Sequence, residues 1–148
     1  MNAASKITAE ADSLLDLLIA QCEDLEALLV LSRRETAAAE ARDFEEIIRL
    51  TAARATLGER LEVYHRQIAE MRQQLGAAAD AAIQSPVATR MAELVNGVLA
   101  QDDKTRPLLM TVRQEAAQER KHLEQVQRSL AAYLSDGRMP AVACDQLA

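Results

Sequence analysis

The sequence predicts an all-α fold, an antiparallel up-down-up bundle of three long helices with coiled-coil-like packing. Three observations carry this expectation. Aromatic residues are 2% of the 148, with four Gly and three Pro, whereas sheets draw on Val, Ile, Tyr, Phe and turn residues. Ala, Leu, Glu, Arg and Gln dominate, which is the composition of long helices. Apolar residues recur at three- and four-residue spacing over most of the chain.

The first helix is expected over about 5–40. Ile7, Ala11, Leu14, Leu18, Cys22, Leu25, Leu29 and Ser32 form one stripe. Leu15, Leu17, Ile19, Leu28, Val30 and Leu31 widen it. A helix apolar over more than half its girth must meet more than one neighbour. The segment "ARDFEE" then supplies a turn at 41–43. Asp43 is placed to cap the next helix, and Glu46 stands three residues on, as in a capping box.

The second helix is expected over 44–75. Ile47, Arg54, Leu61, Ile68 and Leu75 are seven apart, and Leu50, Leu57, Tyr64 and Met71 interleave with them. That 3.5-residue repeat is the mark of a left-handed coiled-coil seam. Arg54 is its misfit. Gly76 and "AAADAAIQ" make a connection, and Ser85-Pro86 is a start signal with Ser as N-cap and Pro at the first helical position.

The third helix is expected from there to about 134. One seam is Met91, Val98, Thr105, Val112, Glu119, Val126 and Tyr133; the other is Val95, Asp102, Leu109, Ala116, Leu123 and Leu130. Pro107 lies inside this run, so the helix either kinks there or breaks briefly and restarts with Asp103 or Thr105 as cap. The retained phase favours the kink. In the antiparallel register Arg54 faces the region of Pro107, which predicts an ion pair from Arg54 to Asp102 or Asp103. Asp136-Gly137 and Pro140 end the helix. One bundle domain is thus expected over 1–135, with 136–148 as a flexible tail.

Lengths separate the helices. At 1.5 Å per residue they measure about 54, 48 and 73 Å, so the third outreaches its companions by about 25 Å. The excess carries Leu123, Val126, Leu130, Tyr133 and Leu134. That stripe is the candidate partner-binding face, a surface on which an amphipathic helix could dock. Fold-back onto the bundle and pairing with a second copy are the competing readings.

Other classes find less support. The net charge is −6 with both signs interspersed, and no basic face or stacking aromatics suggest nucleic acid. No apolar run approaches a membrane span, and the N-terminus lacks a secretory pattern. Cys22 and Cys144 lie in different contexts and read as free thiols of a cytoplasmic protein. No nucleophile–base arrangement is present, and no enzyme activity is expected. The two Glu-x-x-His pairs, Glu62–His65 and Glu119–His122, are weak metal candidates. Di-iron bundles use such pairs with two further Glu, for which Glu26 and Glu93 could be nominated. Glu119 is on a seam while Glu62 faces outward, so the motifs do not converge. No cofactor is expected, and a ferritin-like di-metal bundle is a remote alternative.

The stretch "LEALLVLSRRETAAAEARDFEEIIRLTAARATLGERLEVYHRQI", with "DDKTRPLLMTVRQEAAQERKHLEQVQRSLAAYL" after it, resembles the FlgN-type flagellar export chaperones. The shared features are a Leu-rich first helix, the "A-R-D-F-E" turn and "L-x6-L-x3-L", and the likeness covers most of 10–134. The resemblance implies a cytoplasmic helical chaperone without ATPase activity. It would bind hook–filament junction proteins and deliver them to the type III export apparatus. The family holds its client's C-terminal helix with its own C-terminal helical region, which corresponds here to Leu123, Val126, Leu130, Tyr133 and Leu134. Other type III secretion chaperones and self-associating structural coiled coils share this composition and stand as alternatives.

Overall fold

The computed structural model describes residues 2–136. The expected tail, with Cys144, lies outside the described residues apart from Asp136. Helix α1 spans Ala3–Ala41, α2 spans Phe44–Leu75, α3 is a single turn over Asp80–Ile83, and α4 spans Pro86–Ser135. A 3₁₀ turn over Gly76–Ala79 joins α2 to α3. The contacts divide the chain into two units, one through Leu108 and one from Leu109.

The first unit is a three-helix bundle whose turns follow from local chemistry. Arg42 adopts the left-handed conformation at φ 54°, which costs a non-glycine residue about 1–2 kcal/mol. The turn is closed in return by the Arg42 N–H to the Ala39 carbonyl at 3.2 Å and the Asp43 N–H to the Ala38 carbonyl at 2.9 Å. Asp43 caps α2 as expected, its Oδ1 accepting from the Glu46 N–H at 3.1 Å. The Glu46 carboxylate accepts from Arg34 at 2.8 Å and Arg49 at 2.6 Å instead, tying the end of α1 to the start of α2. Gly76 ends α2 at φ 56°, ψ −125°, a region open in practice only to glycine.

The Ala-rich connection is more ordered than its composition suggests. Ala79 and Ala82 are buried and pack with Leu14, Leu18 and Ile68, so the 3₁₀ turn and α3 close one end of the bundle. Pro86 then opens α4, and the Ala88 N–H reaches the Ser85 carbonyl at 3.1 Å.

Paired residues fix the helix directions. Arg60 meets Asp24 and Arg54 meets Glu35, so α2 runs antiparallel to α1. Gly97 lies against Leu29 and Gln101 bonds Thr36, so α4 runs parallel to α1. The result is the expected up-down-up order. A second apolar cluster holds Cys22, Leu25 and Leu94, flanked by Leu28, Leu29 and Leu61. Leu14, Leu50 and Leu94 are fully buried, each contributing about 1.5–3 kcal/mol before ordering costs.

All the seam positions expected on α2 are buried or half-buried. On α4 Met91, Val98, Thr105 and Val112 are buried or half-buried as expected, as are Asp102 and Leu109 of the other seam, and one position of that seam moves by a residue. Leu94 is buried while the expected Val95 is 39% exposed. The cause is that α4 packs on two neighbours: Gln101 turns to Thr36 of α1 and Asp102 to Arg54 of α2. Ile7, expected on the α1 stripe, is 47% exposed.

Helix α4 is continuous through Pro107. This removes the alternative in which it breaks and restarts at Asp103 or Thr105. Proline cannot give the i→i−4 bond and costs a helix interior about 3 kcal/mol. The turn just before it is held from both sides, by Asp102 to Arg54 and by Thr105 to Thr36.

In the second unit the described residues are all helical until Asp136, as the continuation of α4. From Ala116 through Asp136 every residue is exposed.

Candidate functional site

The residues that sequence periodicity singled out in the second unit share one face of α4. Leu123, Val126, Leu130, Tyr133 and Leu134 follow 3–4–3–1 spacing, which places them within a single stripe. Leu123 is 54% exposed, Val126 49%, Leu130 51%, Tyr133 39% and Leu134 51%. Roughly half of each side chain's transfer free energy is therefore still unrealised, several kcal/mol in sum at about 1.5–3 kcal/mol per fully buried residue. No glycine or proline interrupts α4 between Pro107 and Ser135. Its borders are Arg120, His122, Gln127 and Ser129, and Glu119 stands one turn before Leu123 on the same face, all exposed, so that the charges of Arg120 and Glu119 offset. Apolar shape rather than charge is what this face offers a partner.

The candidate metal residues do not assemble. Glu62 and His65 are exposed on α2 and line a shallow groove with Gln21, Leu61 and Arg66. Glu119 and His122 are exposed on α4 in the second unit. Glu26 and Glu93, the nominated companions, both lie 3.5 Å from Arg90 at the surface. No group of three or more His, Cys, Asp and Glu placed to hold a metal ion occurs among the described residues. Cys22 lies buried in the second apolar cluster, and burial, helped by the nearby Glu26 charge, raises its thiol above the ordinary range. A thiol so placed packs as a small apolar side chain.

One polar constellation was only partly legible in the sequence. Arg54 reaches both Asp102, as expected, and Glu35, which was not anticipated. Beside them the Thr36 and Thr105 hydroxyls meet at 2.6 Å, and Gln101 Nε2 donates to Thr36 at 2.6 Å. Glu35, Thr36 and Thr105 are all buried. The available signals were Thr105 on a seam whose neighbours Val98 and Val112 are apolar, and Thr36 four residues after Ser32 on the stripe of α1; Glu35 lies one residue to the side. Asp103, the other candidate for Arg54, lies 3.6 Å from Arg106 instead.

Among the described residues no helix is long and apolar enough to cross a membrane. Comparisons with protein-family models, with curated proteins and with solved structures return no match. The fold is that of a small all-helical bundle, and α4 carries an exposed apolar face of the kind on which a protein partner can dock.

Proposed function

We propose that this chain is a cytoplasmic export chaperone of the FlgN type. In this reading it binds the C-terminal amphipathic helix of hook–filament junction proteins and hands them to the flagellar type III export apparatus. Leu123, Val126, Leu130, Tyr133 and Leu134 form the client-binding face. The chaperone acts by covering the client's apolar helix, with no cofactor and no catalysed step.

The observation that carries the reading is the unbroken exposure of 116–136 around an apolar stripe. Soluble helices bury such stripes or use them. A client helix laid along α4 would be read at i, i+3, i+7 and i+10, the spacing of helix-in-groove recognition. The resemblance in the turn "ARDFE" and the long last helix supports the same assignment.

The test is capture of hook–filament junction proteins from a flagellated cell that expresses the tagged chain, compared with a chain ending at Gln118. Retention by the full chain and loss on truncation supports the proposal. Equal retention by both, or by neither, refutes it.

A further inference from the structure

The apolar stripe of α4 meets a charge at its inner end. Glu119 stands four residues before Leu123 and seven before Val126, on the same face of the helix, and it is exposed. In the seam row Met91, Val98, Thr105, Val112, Glu119, Val126 and Tyr133 it is the one charged residue. We infer that Glu119 is a specificity-determining residue of the client face. It selects a helix that carries a Lys or Arg one turn outside its own apolar stripe, and it fixes where along α4 that helix lies. The inference rests on the proposed reading of the stripe as a client-binding face and names the chemistry of the client.

Helix α4 cannot neutralise this carboxylate itself. Side chains on a helix meet neighbours three and four residues away. For Glu119 these are Glu115, Ala116, His122 and Leu123, and none is a Lys or Arg. Arg120 and Lys121 follow in the chain but lie about 100° and 200° away around the helix. The Glu119 side chain accordingly has no ion pair among the described residues. A helix seated on Leu123 and Val126 and continuing past them covers that carboxylate and takes water from it. A carboxylate buried without a counter-charge is strongly unfavourable. An apolar or acidic client residue at this level is therefore rejected, and a cationic one accepted.

The apolar pattern alone leaves the alignment open. Heptad spacing is unbroken from Val112 through Tyr133. A client matched to Leu123, Val126, Leu130 and Tyr133 could shift by seven residues and meet Ala116, Glu119, Leu123 and Val126 instead. The residue that met Val126 would then meet the Glu119 carboxylate. Charge excludes this shifted alignment, as a single polar seam residue does in coiled coils. Apolar area supplies the attraction, and Glu119 decides which helix and which alignment use it.

The test measures binding of fluorescent helical peptides to the full chain by anisotropy. The peptides carry Leu at i, i+3, i+7 and i+10, and either Lys or Glu at both i−4 and i+14. One of the outer residues then reaches Glu119 in either direction of the peptide. The Lys peptide should bind the parent at least about tenfold more tightly than the Glu peptide, because like charges brought together are penalised. Glu119→Gln should bring the two peptides close to parity, and Glu119→Lys should reverse their order. Glu124→Lys makes the same change of charge about 140° around the helix from Glu119, and it should keep the parent's order. A Lys preference that survives Glu119→Lys, or equal binding of both peptides to the parent, overturns the inference and leaves the client reading standing. Reversal by both lysine variants shows that overall charge selects the peptide and overturns it too. Binding of neither peptide also overturns it, and the capture experiment then decides the client reading separately.

Discussion

The Arg54 guanidinium on α2 donates to Asp102 Oδ2 on α4 at 2.8 Å. The same group donates to Glu35 Oε1 on α1 at 3.0 Å, so one side chain joins all three helices of the bundle. Burial alone would lower the Arg54 pKa, but the Asp102 hydrogen bond and the Glu35 charge outweigh it and raise it. A slip of any helix by one turn would leave a charge without its partner, so the trio specifies register more than it adds stability. Removing one member should be costly. We expect Arg54→Ala to destabilise the protein by about 2–4 kcal/mol, less than a fully buried pair because Arg54 keeps some solvent contact. Replacing all three, as Arg54→Met with Glu35→Leu and Asp102→Leu, should recover most of that loss. Urea unfolding of the variants checks both values.

The hydroxyl layer gives opposite signs at neighbouring positions. Thr105→Val leaves Thr36 and Gln101 short of a partner and should cost about 1–2 kcal/mol. Ser32 is fully buried, and its Oγ has no hydrogen-bond partner among the described residues. Ser32→Ala should therefore be neutral or stabilising by up to about 1 kcal/mol, because it removes an unsatisfied polar atom. Thermal unfolding monitored by circular dichroism separates the two.

Two glycines should also respond in opposite directions. A Cβ at Gly58 would meet nothing within 4 Å, and Gly58 lies inside α2. Gly58→Ala should stabilise by about 0.5–1 kcal/mol through helix propensity. Gly76→Ala has equal space, but at φ 56° it is strained and should cost about 1–3 kcal/mol. The denaturation midpoints of the two variants should fall on either side of the parent's.

The Glu46 carboxylate is held below its ordinary pKa by its hydrogen bond from Arg49, with Arg34 adding to the effect. A carboxylate whose folded pKa is depressed contributes stability above its unfolded pKa and loses it as pH falls through the folded value. The stability difference between the parent and Glu46→Gln should therefore be constant at neutral pH and shrink below the ordinary carboxylate range. Unfolding titrations across that range test the direction. The group is exposed, so the difference should be small and reduced by salt.

These sites also show what the sequence could and could not reveal. The α2 bounds, the Asp43 cap, the Ser85-Pro86 start and the Arg54–Asp102 pair were legible because each rests on local chemistry or on heptad arithmetic. The 3₁₀ turn and α3 were not, because an Ala-rich connection has no periodicity that separates a packed turn from a loose one. Glu35 was missed because a buried charge is visible only once its partner's register is known. The shift from Val95 to Leu94 was missed because a heptad describes one neighbour, and α4 has two in the first unit. The stripe of 123–134 was legible as an apolar face, and its exposure had to be seen.

The most direct test of the account is the double substitution Leu123→Asp with Leu130→Asp. Both residues are about half exposed, so the account predicts helix content and urea midpoint close to the parent's, within about 0.5 kcal/mol as for surface changes, together with loss of client capture. A large fall in stability would mark the stripe as core. Unchanged capture with unchanged stability would show that clients bind elsewhere.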